Sequence, residues 1–272
     1  MTQQAETGSM AVFCDFENVA LGVRDANYAR FDIGKVLERL LLKGHIVVKK
    51  AYCDWSRYKE FKAVMHEASF ELIEIPHVRQ SGKNSADIRM VVDALDLCYT
   101  KGHVDTFVII SGDSDFSPLV SKLRENNKIV IGVGVRNSSS DLLIANCDEF
   151  IYYDDLVSRP SRSTEPRGGG RKSVPAAGAR PPVAAGDRKQ EAFSLIVETY
   201  EALAEERREG EKIWGSMVKQ ALKRRDPGFS ESHYGFRSFS QLLQEAEAQG
   251  VLSLEHDEKS GGVVVKECRP AS

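Results

Sequence analysis

Val104-Asp-Thr-Phe-Val-Ile-Ile-Ser-Gly-Asp-Ser-Asp-Phe-Ser-Pro-Leu-Val120 is the stretch that decides the fold. From Thr106 to Ile110 it carries no charge, and all but Phe107 are β-branched. A short run of this kind fits a strand buried on both faces, as in a parallel sheet covered by helices. Ser111-Gly112 then marks a turn, Asp113 and Asp115 follow, and apolar residues at helical spacing begin. Two carboxylates therefore stand where a central strand hands over to a helix. In open α/β sheets that carboxyl edge is where ligands bind.

On either side of this stretch, strand-like and helix-like segments alternate. Met10 to Phe16, His45 to Tyr52, Phe70 to Ile75, Lys128 to Val135 and Glu149 to Tyr153 read as strands. Phe31 to Leu42, Trp55 to Ala68, Asp87 to Tyr99, Phe116 to Glu125 and Ser138 to Ala145 read as helices, the last capped by Asn137 or Ser138. Such alternation predicts βαβ units and a parallel sheet with right-handed crossovers. The expected class is α/β, a three-layer α/β/α domain around a mainly parallel sheet over residues 10–157. The first and fourth strands both end in acids. As neighbours at the topological switch point, they would bring those acids together.

The totals set the bounds. A chain of 272 residues suggests about two domains. The net charge of -3 excludes a general polyanion binder, so any nucleic-acid contact must come from local patches. The five cysteines are odd in number and lack C-x-x-C spacing, which argues against a disulfide framework or zinc knuckle and for a reducing cytoplasm. Met1 to Met10 is polar, and no run of 18 apolar residues occurs, so neither a signal peptide nor a membrane span is expected.

Residues 158–188 are rich in Arg, Gly, Pro, Ser and Ala and poor in large apolar side chains. Such a segment buries too little surface to offset its ordering entropy, so a disordered linker is expected. As a flexible coil it would span about 30 Å. Residues 189–267 then read as three helices and a two-stranded wing. The helices are Gln190 to Arg208, Ile213 to Lys223 and Phe236 to Ala248; the strands are Val251 to Glu255 and Gly262 to Lys266. That order predicts a small winged helix-turn-helix domain. Lys219, Lys223, Arg224, Arg225 and Arg237 form a basic cluster suited to RNA phosphates, with a solvated helix face or a protein partner as the competing readings.

The acids expected at the sheet's carboxyl edge are Asp15, Asp87, Asp113 and Asp115. Two unit charges about 4 Å apart repel by about 4 kcal/mol at an effective dielectric near 20. Either some are protonated or a cation sits among them. Hard oxygen ligands without a His or Cys cluster select Mg²⁺ or Mn²⁺ over zinc, and such a site suits phosphodiester cleavage by activated water. Asn18, Lys83, Ser111 and Ser114 complete the candidate set as phosphate or water contacts. Taken singly, Asp115 reads first as an N-cap for the Phe116 helix and Asp87 as an ordinary first-turn acid, and it is their joint placement at one sheet edge that turns the reading to a site. Asp93 follows Asp87 by six residues, roughly 120° around an ideal helix, so geometry alone does not place both on one side. Trp55 and Tyr58 read as core, with base stacking as the alternative.

Ala-Val-Phe-Cys-Asp-Phe-Glu-Asn (11–18), Lys-Asn-Ser-Ala-Asp-Ile-Arg-Met-Val-Val-Asp (83–93) and Ser-Gly-Asp-Ser-Asp-Phe (111–116), in this order, resemble the three motifs of the NYN domain, a PIN-like nuclease family. The resemblance covers about residues 10–155. It implies a PIN-like fold and a metal-dependent ribonuclease. Its functional positions fall on Asp15, Asn18, Asp87, Asp93, Asp113 and Asp115, and it adds Asp93 to the metal set. Ser85-Ala86 stands where the family often has Gly-Val, a departure that leaves the acid in place. Residues 235–252, Gly-Phe-Arg-Ser-Phe-Ser-Gln-Leu-Leu-Gln-Glu-Ala-Glu-Ala-Gln-Gly-Val-Leu, resemble the OST-HTH/LOTUS domain, which implies RNA binding. Two other functions stand beside the nuclease. One is a non-catalytic RNA-binding adaptor that keeps the acids for structure. The other is a Toprim-like phosphotransfer or nicking domain, against which counts Asp15 in the place of a first-strand Glu.

Overall fold

The computed structural model describes residues 8–75, 85–157, 185–206, 211–257 and 262–268. Lys83, the loop around it and the expected linker from 158 to 184 lie outside them. The described chain divides into two units, the first built on the N-terminal sheet and the second on the C-terminal helices. No helix among the described residues is long and apolar enough to cross a membrane.

The first unit is built on six parallel strands: β1 (Ser9–Asp15), β2 (His45–Cys53), β3 (Glu71–Glu74), β4 (Thr106–Ile110), β5 (Ile129–Gly134) and β6 (Glu149–Tyr152). Their order is β3-β2-β1-β4-β5-β6. β1 pairs with β2 on one side and with β4 on the other, both parallel. The chain winds outward in opposite directions from β1 and β4, so their junction is the topological switch point. The expected meeting of the first and fourth strands is what the sheet shows.

Alternation along the strands assigns the helices to faces. Met10, Val12 and Cys14 of β1 and Val108 and Ile110 of β4 pack on α1 (Phe16–Asp25), α2 (Ile33–Leu41), α3 (Lys59–Glu67) and α7 (Tyr153–Val157). Ala11, Phe13, Phe107 and Ile109 point the other way, onto α4 (Ser85–Thr100), α5 (Ser117–Glu125) and α6 (Asp141–Asn146). The central strands are thus covered on both faces, as a charge-free run such as Thr106 to Ile110 requires.

Several boundaries differ from the sequence reading. Phe16 opens a helix rather than closing a strand, because its ring is the hub of an aromatic cluster. It meets Trp55 at 5.0 Å, Tyr58 at 5.5 Å, Phe61 at 5.0 Å and Phe31 at 6.0 Å. Trp55 and Tyr58 are accordingly packing residues, Trp55 fully buried and its indole N–H donating to the Ile73 carbonyl. Trp55 to Arg57 form a turn, and the helix starts only at Lys59. The cap of α6 is Ser140, not Asn137 or Ser138, whose segment forms a separate 3₁₀ turn.

The second unit comprises α8 (Ala185–Glu205), β7 (Ile213–Trp214), α9 (Gly215–Arg225), α10 (Phe239–Ala248), β8 (Leu252–His256) and β9 (Val263–Cys268). α8 begins three residues before the expected end of the linker at Arg188. Its three strands form an antiparallel sheet ordered β7-β9-β8. Ile213 and Trp214, expected to open a helix, pair with Val265 and Val264 instead. Phe193, Ile196, Val218, Leu222, Leu242 and Leu243 fill the core between helices and sheet.

Candidate active site

Asp15 ends β1 and caps α1. Its carboxylate accepts from the Asn18 N–H at 3.4 Å and from the Ser111 hydroxyl at 3.0 Å. Only 7% of Asp15 is exposed, because Phe16 is drawn into the aromatic cluster and β4 lies alongside. Ser111 also accepts the Asp113 N–H at 3.2 Å, and Asp113 in turn accepts the Asp115 N–H at 3.0 Å. The Asn18 side-chain oxygen accepts the Gly112 N–H at 2.9 Å. These bonds lock the end of β1 to the loop after β4.

Asp15, Asp87 and Asp113 line one cleft of about 300 Å³, together with Glu17, Asn18, Leu21, Cys53, Asp54, Ile75 and Ala86. It opens at the carboxyl edge of β1, β2 and β4. Asp87 is delivered by the first turn of α4. The electrostatics record the crowding. Burial first, then the Asp87 carboxylate, push Asp15 up to about 7, against the opposing pull of the Asn18 N–H and the Ser111 hydroxyl. Burial, then Asp113, Asp115 and Glu17, push Asp87 up to about 6. Burial and the Glu17 carboxylate also raise the Cys53 thiol, so it presents a neutral SH to the cleft. The five carboxylates among the lining residues supply oxygen donors.

Not every expected residue belongs here. Asp115 is exposed and does not line the cleft; its charge reaches Asp87 only through space. The helix-capping role assigned to Asp115 belongs to Asp113, because a 3₁₀ turn over Ser114–Phe116 intervenes before α5 and Asp113 precedes it. Ser111 is fully buried and spends its hydroxyl inside the network, so it holds the acids rather than touching a substrate. Ser114 begins the 3₁₀ turn outside the lining. Among the described residues, no group of three or more His, Cys, Asp or Glu side chains stands close enough to hold a metal ion. The cleft gathers the right donors without closing them into a cage.

Asp93 is also placed elsewhere. Its carboxylate accepts the Tyr52 hydroxyl at 2.9 Å, the Arg89 Nε at 3.0 Å and the Lys50 Nζ at 3.4 Å. Burial alone would raise this carboxyl, but Tyr52, Lys50 and Arg89 outweigh it and hold it below the usual carboxylate value. Asp93 thus pins α4 to β2. Replacement by Asn keeps the Tyr52 bond but drops the charge-assisted ones, and should cost about 1–3 kcal/mol in urea unfolding. Manganese binding, measured by calorimetry, should survive that change; its loss would return Asp93 to the ion.

Sequence reading missed Leu21, Cys53, Asp54 and Ile75. The only signal for Cys53 and Asp54 was their position at the carboxyl end of the second strand. In the second unit, Lys219 pairs with Glu231 at 2.7 Å, while Arg224, Arg225 and Arg237 are exposed. Lys223 adds its charge on the same helix, α9, as Arg224 and Arg225.

A model of the NYN domain matches residues 9–154. A Xenopus tropicalis protein, "Meiosis regulator and mRNA stability factor 1", is 28% identical over 150 residues, which is 55% of this chain but 9% of that protein. An uncharacterised protein of Methanocaldococcus jannaschii is 30% identical over 113 residues, 41% of this chain and 43% of its own length. A solved structure of a Vibrio parahaemolyticus protein of unknown function superposes with a TM-score of 0.50 at 27% identity, covering 57% of this chain and 98% of that one. The chain therefore spans only a small part of the curated meiosis regulator it matches.

Proposed function

This chain belongs to the NYN domain family, and on that footing we propose that it is an endoribonuclease dependent on Mg²⁺ or Mn²⁺. The family is homologous to the PIN-like nucleases. The observation that carries the proposal is the convergence of Asp15, Asp87 and Asp113 on one cleft, two of them displaced above the usual carboxylate range. Carboxylates that repel one another in a half-buried cleft favour a bound cation, which removes the repulsion. All-oxygen donors beside a neutral thiol fit a hard divalent ion.

Asp15, Asp87 and Asp113 would hold that ion, with Asn18 beside them. When bound, the ion supplies an activated water and neutralises charge on a phosphodiester. The chain supplies positioning. Ser111 orients Asp15 and Asp113 against each other, and Asn18 fixes the loop through Gly112. Leu21, Ile75 and Ala86 give the cleft an apolar wall. RNA as substrate draws support from the similarity to a protein named as an mRNA stability factor. For the second unit we propose an OST-HTH/LOTUS module that contacts RNA through Lys219, Lys223, Arg224, Arg225 and Arg237, the three arginines being the exposed ones; docking of a protein partner is its alternative role.

The test is cleavage of a labelled RNA. Chelation should stop it, Mg²⁺ or Mn²⁺ should restore it, and Asp113→Asn should not respond to either ion. Cleavage that persists through both chelation and Asp113→Asn would sink the assignment. RNA binding without any cleavage would favour the second reading, a non-catalytic adaptor. That reading draws on the open spacing of the carboxylates. The Toprim-like alternative loses its footing, because the family match spans the whole sheet domain.

A further inference from the structure

Among the described residues, those lining the cleft carry five carboxylates, Asp15, Glu17, Asp54, Asp87 and Asp113, and no cation. A ribonuclease must bring a polyanion to that surface. Ions can neutralise the reacting phosphate, and Lys or Arg side chains commonly contact its neighbours. Arg57 stands at the rim. Its Nη1 is 2.8 Å from the Glu17 carboxylate, which lines the cleft.

The backbone that presents Arg57 is built for placement. Asp54 accepts the Ser56 N–H at 3.0 Å and the Ser56 hydroxyl, and the Arg57 N–H donates to the Asp54 carbonyl at 3.0 Å. Trp55, between them, is buried, and its backbone N–H donates to Glu74 at 3.0 Å. The turn is anchored from below while the guanidinium stays in solvent. The Arg57 and Glu17 side chains are 51% and 34% exposed, so water and salt screen their attraction and the pair is weakly held. A guanidinium on a phosphate makes the stronger, two-pronged contact.

We propose that Arg57 is a further substrate-binding residue, held on Glu17 until an RNA backbone phosphate replaces that carboxylate as the cleft fills. This rests on the nuclease reading above. Glu17 then acts as a placeholder that competes with the incoming phosphate, while the 54–57 turn keeps the guanidinium at the cleft rim.

The full chain, with Arg57→Gln, Arg57→Lys and Glu17→Gln, tests it on a single-stranded RNA. Arg57→Gln should raise KM about fivefold to tenfold with kcat within about twofold, and lower the slope of log affinity against log salt by about 0.7, one phosphate contact. The slope is read from fluorescence anisotropy in EDTA, so it stands apart from cleavage. Arg57→Lys should restore the slope and part of the KM. Glu17→Gln should lower KM, since it releases the guanidinium. If Glu17→Gln instead copies the Arg57→Gln defect, or if Arg57→Gln leaves the slope unchanged, Arg57 serves only the fold and the proposal falls. Asp113→Asn, run alongside, separates the two failures. Cleavage surviving in Asp113→Asn overturns the nuclease reading, whereas an inactive Asp113→Asn with an unchanged Arg57→Gln slope overturns Arg57 alone.

Discussion

Asp15→Asn should unfold at a higher temperature than the wild type at pH 8 while losing about 100-fold or more of its cleavage rate. The two effects have one cause. Asp15 is buried beside Asp87, and its carboxyl titrates at about 7 in the folded chain against 3.8 for an unperturbed aspartate side chain. A folded-state value raised above the unfolded one means that the folded chain binds its proton more tightly. The stability that this group contributes is therefore fully present below about pH 4 and is lost as the pH rises through the folded value near 7. At about 1.4 kcal/mol for each pH interval, the loss at pH 8 is on the order of 4 kcal/mol. Asn carries no charge to desolvate, still accepts the Asn18 N–H as a good helix cap, and escapes that loss. The gain should shrink by more than half at pH 5 and vanish near pH 4. Unfolding in urea at pH 8 and pH 5 measures it. A variant less stable than wild type at both values would mean that the carboxyl is not strained.

The cation follows from the same balance. Mg²⁺ or Mn²⁺ binds ionised carboxylates, so it should raise the unfolding temperature of the wild type at pH 8 more than at pH 5, and hardly at all in Asp15→Asn. Cleavage should rise with pH between about 5 and 8, as Asp87 near about 6 and Asp15 near about 7 give up their protons. A flat profile across that range would leave the displaced carboxyls without a role in the reaction. On the proposed function, activity and stability should pull against each other at this one residue.

What the sequence made legible was periodicity. The charge-free run at Thr106 to Ile110 announced a strand covered on both faces, and the acids at Asp15 and Asp113 announced the ligand edge. Both follow from local chemistry. What stayed hidden needed partners distant along the chain. The resemblance puts Asp93 among the ligands, whereas the partners its carboxylate holds, Tyr52 and Lys50, lie on a strand some forty positions earlier, out of reach of local spacing. Ile213-Trp214 looked helical because the strand it pairs with, β9, comes some fifty positions later. The helix after Asp15 is not visible in the local pattern because the ring of Phe16 turns the chain there by packing on Trp55, Tyr58 and Phe61, some forty positions later. The capping role falls to Asp113 rather than Asp115 because a single 3₁₀ turn stands between strand and helix, which no spacing rule reveals.

Gly112→Ala should disable the site even though no atom of the glycine side chain is in it. A Cβ at this position would lie 2.3 Å from the Ser138 carbonyl oxygen, a backbone atom with little freedom to retreat. The Gly112 carbonyl accepts the Ser140 N–H at 2.9 Å, and its N–H donates to Asn18. The glycine is therefore the joint at which the loop after β4 meets both the 136–140 segment and the start of α1. Relieving the clash must move one of them. Overpacking of this kind costs about 1–3 kcal/mol. The larger consequence is positional, since Asp113 follows Gly112 directly and its N–H bond to Ser111 sets its distance from Asp15. A displacement of about 1 Å in a catalytic constellation can cost about 100-fold in rate. Gly112→Ala should accordingly remain folded, with a urea midpoint shifted by no more than that strain, and lose about 100-fold in kcat. Gly102→Ala, where an added Cβ meets nothing within 4 Å, is the matched control and should leave both readouts unchanged. Wild-type turnover in Gly112→Ala would mean that the loop tolerates the methyl group and that the spacing of Asp15 and Asp113 is not held through this joint.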